Sequence, residues 1–433
     1  MDTGSAFFSE IMTGKGLIPP DGENTCMRIL MVNKFHYVKG GSETYYFALK
    51  SLLEQRGHSV IDFSMADERN LSSPYSAYFV ANKDYHGHSG PLRQAVMARD
   101  FLYSREAREK LDRLIADTRP DAVHLHLFHH QLSPSILDVI RKRGLPAVYT
   151  AHDLQMLCPN YRMAHDGILC EACLQGNAFP CVKNRCVMGS AVKSALSALE
   201  FTVHRRRGIY DTIRYWLMPS EFYQRLFLKA GFPEEKIVFI PNFIDLPPAD
   251  PLKIKEGGEY LLFLGRLTAE KGLGTLLRAV SDTGLPLHIA GEGPMEGELR
   301  EKVKAEELSG VRLLGRLSGD RLREELEGAR AAVLPSEWYE NCPYSAIEAL
   351  RLGRPLVGSR IGGLCEMIGE NGFLAEPWNA ESLRGALLSM MNAPLTEWRR
   401  MSAASLRLFS CRYTADGHWK RLRQVYARMG LSL

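Results

Sequence analysis

No stretch of this 433-residue chain stays apolar for the roughly 20 residues that a membrane-spanning helix needs. The opening MDTGSAFFSEIMTGKGLIPPDGENTC also lacks the basic start and apolar run of a secretory leader, so a cytoplasmic location is expected. A strong charge of either sign is missing too. The 54 Lys and Arg against 50 Asp and Glu leave a net charge of +4, too small to read as a footprint for nucleic acid. No Gly-x-Gly-x-x-Gly fingerprint and no Asp-x-Asp pair occur, so neither a dinucleotide loop nor a catalytic metal is implied. Cysteine is scarce except between positions 158 and 186, which hold five of the nine; in a reducing compartment that is no disulfide framework.

What is present is length and alternation. The chain is too long for one ordinary core, and two domains are expected. Short β-rich runs alternate with amphipathic helical patterns, which argues for parallel sheets covered by helices on both faces. RILMVN, HSVIDF, AVHLHL and PAVYTA read as strands of the first series. After the cysteines come a helical pattern from Ser190 to Tyr215, the strand YWLMPS, the helix EFYQRLFLKAG and the strand KIVFIPN. LPPADPLKIKEGGE is rich in Pro, Gly and charge and reads as a linker. A second series of strands then begins: YLLFLG, PLHIAG, VRLLGR, AAVLPS and PLVGS. The expectation is two doubly wound, Rossmann-like α/β domains whose binding crevices face one another across a cleft.

Three stretches could carry chemistry. KGGSE, with Gly40 and Gly41, joins the first strand to its helix, where bare backbone can approach an anion. FLGRLTAEKG places Arg266 and Lys271 after a buried strand and before a helix, a forked and a compact cation suited to a diphosphate. EWYENCPYSAIEAL holds Glu340 and Glu348 eight positions apart. Pro343 prevents one continuous helix, so Glu340 falls in a loop and Glu348 one turn into a helix that starts near Pro343 to Ser345. Carboxylates so placed can accept hydroxyl hydrogen bonds from a ribose or a hexose.

Taken in order, GGSE, RGHSV, DAVHLH, TAHD, PNFID, LGRLTAEKG, GEGP, PSEWYENCPYSAIEAL, GRPLVGS and IGGLCEMI resemble the family-four retaining glycosyltransferases of the GT-B fold, from about Met27 to the end. The resemblance implies a hexosyltransferase that moves a sugar from a nucleotide-sugar donor to a hydroxyl of a glycan or lipid-linked acceptor in cell-surface polysaccharide biosynthesis. It implies that Glu348 binds the nucleotide ribose, that Glu340 contacts the transferred sugar, and that Arg266 and Lys271 hold the diphosphate, with Gly40 and Gly41 approaching it. His152 of TAHD would contact the sugar near the reacting carbon. His124 and His126 are poorer candidates, one of the alternate pair being expected to face the core as a structural histidine. The implied division is an extension over 1–26, expected to be disordered, an acceptor-side domain over 27–218, and a donor-binding domain over 219–411. Residues 412–433 are expected to form a helix packing back on the first domain.

The insertion CPNYRMAHDGILCEACLQGNAFPCVKNRC departs from the simplest family pattern. Cys170 and Cys173 form a C-x-x-C knuckle, and Cys158, Cys181 and Cys186 offer two further thiolates for a tetrahedral structural zinc; His165 is a substitute ligand. Similar insertions in bacterial surface-polysaccharide transferases favour Cys158, Cys170, Cys173 and Cys186. Free thiols and a redox disulfide are the competing readings. HRRRG at His204 suits either a solvated helix face or a peripheral contact with the inner face of a membrane. Two other functions compete: a non-catalytic zinc-containing binding module, and a nucleotide-sugar epimerase or glycan phosphorylase of the same fold. The ordered donor motifs argue against the binding module.

Overall fold

The structure, a computed structural model, describes residues 26–83 and 91–433. The expected N-terminal extension therefore lies, up to residue 25, outside the described residues. Two compact units are present. The N-terminal unit takes the chain to Pro219, then Tyr223–Ile240 and Trp419–Leu433; the C-terminal unit takes Ser220–Phe222 and Pro241–His418.

In the N-terminal unit the strands are β1 (Arg28–Val32), β2 (Ser59–Phe63), β3 (Ala122–Leu125) and β4 (Ala147–Thr150). A two-stranded antiparallel hairpin, β5 (Ala164–His165) with β6 (Ile168–Leu169), stands apart in the cysteine-rich insertion. β7 (Ile213–Met218) and β8 (Ile237–Phe239) complete a six-stranded sheet in the order β2-β1-β3-β4-β7-β8, parallel throughout. Every residue of β3 and β4 is buried, the signature of strands covered on both faces. β8 extends this sheet beyond the boundary expected at 218, because KIVFIPN pairs with β7 rather than opening the next sheet. The helix expected over 190–215 ends at Arg206. Gly208 takes φ 56°, a short turn follows, and β7 starts at Ile213.

The C-terminal unit repeats the plan with β9 (Tyr260–Leu264), β10 (Leu287–Ala290), β11 (Val311–Gly315), β12 (Ala329–Leu334), β13 (Leu356–Ser359) and β14 (Gly372–Ala375). Their order is β11-β10-β9-β12-β13-β14, again all parallel. Leu261, Phe263, Leu276, Leu287, Ile289, Val333 and Val357 centre the core. Two cations are buried in this unit: Arg330, which donates to the carbonyls of Met390 and Ala393, and Arg354 of GRPLVGS, which is fully buried, donates to the carbonyls of Ala329, Leu352 and Lys255, and lies over the Trp398 ring. For Arg354 the cost of burial shows. Burial pushes its pKa down to about 10, with Glu327 partly offsetting it, so the group stays charged at neutral pH, and the three carbonyls satisfy its buried donors.

In each unit the strand order reverses beside the first strand, between β1 and β3 and between β9 and β12. Ligands of doubly wound sheets bind at the carboxyl ends of strands at such switch points. Gly40 after β1, His126 after β3, Arg266 and Lys271 after β9, and Glu340 after β12 fall there, and His152 follows the carboxyl end of the next strand, β4. Among the described residues no helix is long and apolar enough to cross a membrane.

Candidate active site

The loop after β9 is set by glycines. A Cβ on Gly291, of the GEGP loop, would lie 1.8 Å from the carbonyl oxygen of Gly265, and one on Gly272 (φ 70°) would lie 1.8 Å from that of Pro335. No other residue fits either place. The Gly265 and Leu267 amides donate to Ala290 and Glu292 carbonyls at 3.1 and 2.9 Å. The result is a tight turn that presents the Arg266 side chain to solvent, with no hydrogen bond or ion pair to it among the described residues, and turns Lys271 inward.

Lys271 Nζ donates to Glu340 Oε1 at 2.6 Å, and the Ser336 hydroxyl donates to the same oxygen at 2.6 Å. The Trp338 ring lies against the ammonium, 5.3 Å from its centroid. Burial by itself raises the Glu340 carboxyl, but the Lys271 charge and hydrogen bond, the Ser336 hydroxyl and the nearby Trp338 indole outweigh it. They hold the pKa below the ordinary glutamate value. Glu340 is thus an ionised, buried carboxylate. Its backbone is clamped by the IGGL loop: the Gly363 amide donates to the Glu340 carbonyl at 2.8 Å, and Cβ atoms on Gly362 and Gly363 would collide with Glu340 and Asn341.

Pro343 caps the helix Tyr344–Arg351, as the proline predicted, and Glu348 sits one turn inside it. Its neighbours Ala346, Ile347, Ala349 and Leu350 are buried, while Glu348 itself is partly exposed and its carboxyl makes no hydrogen bond among the described residues. Burial against these apolar residues pushes its carboxyl up to about 7, the Arg351 charge only partly offsetting it. An acceptor left unpaired at a surface opening is a place for a ligand's hydroxyls. Ser336 and the clamping Gly362 and Gly363 were not assigned from the sequence, although PSEWYENC and IGGL contain them.

In the N-terminal unit Gly40 is the extended cap of the helix Gly41–Gln55, with no side chain capping its amides. Glu43 of GGSE is buried; burial raises its carboxyl, and the Ser42 hydroxyl donates to it at 2.9 Å. His152, after β4, is partly exposed, and burial lowers its pKa to about 3. The expectation that one of His124 and His126 turns to the core is corrected: residues two apart on a strand share a face, and both rings are fully buried, stacked with centroids 4.7 Å apart. His126 continues the stack to His152, 5.3 Å away, and Tyr45 meets His152 edge-on at 5.0 Å. Thr150 Oγ1 lies 2.8 Å from His124 Nε2, and Tyr426, from the C-terminal segment, brings its hydroxyl to 3.3 Å of His124 Nδ1.

The five clustered cysteines are all free thiols, with Cys158, Cys173 and Cys181 buried. The Cys158 thiol donates to Asn160 Oδ1 at 3.0 Å and neighbours Cys173, while Cys181 neighbours Cys186, a pair also within electrostatic reach of Cys170 and Cys173. Burial pushes the Cys181 thiol up to about 12. Among the described residues no group of three or more His, Cys, Asp or Glu side chains is arranged to hold a metal ion. His165 is engaged elsewhere, 3.3 Å from the Asn184 amide.

Two doubly wound units with an anion turn and a paired carboxylate describe a class of sugar-transferring α/β proteins, and the comparisons agree. Residues 39–247 match the family described as Glycosyltransferase Family 4, and residues 249–405 match Glycosyl transferases group 1. The chain belongs to the glycosyltransferases of these families. The glycogen synthase of Mycobacterium tuberculosis is 34% identical over 207 residues, 46% of this chain and 49% of that protein. O-antigen chain mannosyltransferase C of Escherichia coli is 30% identical over 164 residues, 37% and 44% of the two chains. The match thus spans about half the length of these relatives. Among solved structures, sucrose-phosphate synthase from Thermosynechococcus elongatus superposes with a TM-score of 0.67 at 18% identity, over 93% of this chain and 99% of that one. Anabaena HepE in complex with UDP and glucose gives 0.60 at 16%, over 93% and 100%. At these identities the likeness is one of fold.

Proposed function

We propose that the chain is a retaining hexosyltransferase that moves a sugar from a nucleotide-sugar donor to a hydroxyl of a glycan or lipid-linked acceptor in cell-surface polysaccharide biosynthesis. The observation that carries this reading is the Lys271–Glu340 pair, flanked by an unengaged Arg266 and followed by the unpartnered carboxyl of Glu348. Glu348 accepts the ribose hydroxyls. Glu340, ionised, accepts hydroxyls of the sugar. Lysine has three donors, so Lys271 keeps its bond to Glu340 while facing a phosphate. Arg266 takes the diphosphate in its fork, and the bare backbone at Gly40 and Gly41 serves the same group.

No side chain in these motifs is placed as an enzymic nucleophile. The reading is therefore a front-face displacement: the bond from the anomeric carbon to the donor phosphate breaks, and the bond to the acceptor oxygen forms on the same face. The acceptor proton passes to the departing phosphate oxygen. Arg266 and Lys271 neutralise the charge growing on the diphosphate, so the reading assigns no metal to the chemistry. His152 supports the sugar as positive charge develops on its ring. The C-x-x-C pair and its neighbouring soft donors support assigning a structural zinc to Cys158, Cys170, Cys173 and Cys186, outside the chemistry. A lipid-linked acceptor requires peripheral contact with the inner face of the membrane.

Release of nucleoside diphosphate from UDP-, GDP- and ADP-sugars by purified protein tests the reading, alongside a thermal-shift screen of the same compounds, since a bound donor raises apparent stability. Glu348→Ala and Arg266→Ala should both weaken donor turnover with the fold intact. Unchanged turnover in both variants removes the assignment, and binding without any turnover favours the binding module.

A further inference from the structure

The helix Ala191–Arg206 turns its polar side inward. Ser194, Ser197, Glu200 and His204 are buried beside Ala198 and Phe201, while Val192 is 79% and Leu199 48% exposed, with Ala195 and Val203 exposed on the same stripe. Positions 192, 195, 199 and 203 fall on one face at the helical period. Two of the inward groups are tied down: Ser194 Oγ accepts from the Val187 amide at 3.0 Å, and His204 Nε2 lies 2.8 Å from the Leu102 carbonyl oxygen. A helix packed on a soluble core shows the opposite arrangement.

The apolar stripe does not stand alone. The helix Phe179–Lys183 packs against this one through Ala178, Val182, Ala198 and Phe201, and its Phe179 is 67% exposed. Met188, 65% exposed, is reached by Lys193 Nζ at 3.6 Å. Single exposed apolar residues are ordinary, but a run of them in adjoining segments marks a covered surface. Residues 158–207 also hold seven Lys and Arg against three Asp and Glu, a net +4 equal to that of the whole chain. Lys183, Arg185 and Arg206 are exposed. Arg205 and Arg207 of HRRRG are instead engaged, the first with the Ala230 carbonyl at 2.7 Å and the second with Asp138 at 3.3 Å.

We propose that this face, the outer stripe of the helix Ala191–Arg206 with Phe179 and Met188, docks on an anionic lipid bilayer, with Lys183, Arg185 and Arg206 meeting the lipid phosphates. It deepens the reading above, which needs the enzyme at a membrane only if the acceptor is lipid-linked. An apolar stripe rimmed by cations is the pattern of interfacial helices, and basic residues gain from the negative potential of an anionic leaflet. A second copy of the chain fits less well, because a two-fold contact would set this positive patch against itself.

The test is co-sedimentation of the full chain with phosphatidylcholine vesicles and with vesicles of phosphatidylcholine and phosphatidylglycerol in equal amounts. The expected result is binding to the anionic vesicles alone, weakening as salt is raised. Val192→Glu with Leu199→Glu should lower that binding roughly tenfold or more, and Lys183→Gln with Arg206→Gln should flatten its salt dependence. Both pairs should keep the wild-type melting temperature and the rate of nucleotide-sugar hydrolysis measured without vesicles. No binding to anionic vesicles at low salt, or unaltered binding by the glutamate variant, overturns the proposal. So does a dimer in ultracentrifugation that Leu199→Glu dissociates. Vesicle binding by a protein that turns over no nucleotide sugar supports this surface and sinks the transfer reading instead.

Discussion

His126 Nδ1 lies 3.0 Å from His152 Nε2, so one of two neutral imidazoles donates to the other. Burial holds both pKa values low, that of His152 near 3, so neither ring charges at neutral pH. His126 Nε2 is buried without a partner. An orphaned lone pair is easier to bear than an orphaned N–H, which assigns the shared proton to His126 Nδ1. His152 then carries its own proton on Nδ1, as a neutral donor.

His152→Ala should therefore lower turnover by roughly 10²–10³, the cost of one transition-state hydrogen bond. Nucleoside-diphosphate affinity should change little, because the side chains proposed to hold the nucleotide are those of Arg266, Lys271 and Glu348. His126→Phe keeps the stack but removes the tether, and should lower kcat with KM and nucleotide affinity unchanged, as expected of a positioning residue. Parallel titrations of nucleoside diphosphate and rates with the sugar donor check both. Equal losses in rate and affinity would reassign the histidines to the fold.

The Lys271–Glu340 pair should behave as a buried ion pair. Lys271→Met leaves the Glu340 carboxylate uncompensated and should cost about 3 kcal/mol, whereas Lys271→Met with Glu340→Gln should recover much of that loss. Glu340 has a lowered pKa, so its stabilisation is present above the unfolded-state value and is lost as pH falls through the folded one. Urea midpoints of Lys271→Met, Glu340→Gln, the double variant and wild type at pH 7 and in acid check the sign; additive single-variant effects would mean the pair is not coupled.

Most of this site could be read from the sequence because its determinants are local. Pro343 fixed where the helix bearing Glu348 begins, and the strand-turn-helix pattern around FLGRLTAEKG located Arg266 and Lys271. The partners were not legible. Ser336 reaches Glu340 only because the loop after β12 folds back, and the histidine column joins β3, β4 and the C-terminal Tyr426 through sheet order, which local pattern does not encode. Strand period did place His124 and His126 on one face, a signal that the structural reading of one of them passed over. The linker read at LPPADPLKIKEGGE follows β8, whereas the boundary implied at 218 falls between β7 and β8, two strands that pair in one sheet.

The cysteine cluster yields a metal prediction. With structural zinc on Cys158, Cys170, Cys173 and Cys186, purified protein should carry about one zinc per chain, and chelation should lower its melting temperature through lost binding energy. Cys181→Ser should keep the metal, whereas Cys170→Ser should lose it. Metal-free protein of unchanged stability would leave the cluster as free thiols.

Glu348 gives the opposite pH dependence from Glu340. Its pKa is raised to about 7 in the folded protein, above the ordinary glutamate value of about 4.3. Between those two values the folded state binds more protons than the unfolded state, so stability should fall as pH rises through that window. Glu348→Gln, neutral at every pH, should remove this fall and leave the variant more stable than wild type at pH 8. Ligand binding should run the other way. Only the carboxylate accepts both ribose hydroxyls, so nucleoside-diphosphate affinity in wild type should weaken as pH drops below about 7, and Glu348→Gln should bind weakly at all pH values. Calorimetric titrations across pH 5.5 to 8.5 would also register proton release on binding near pH 6.5. A variant stabilised at pH 8 yet binding nucleotide like wild type would place Glu348 in an apolar helix face with no part in the donor site.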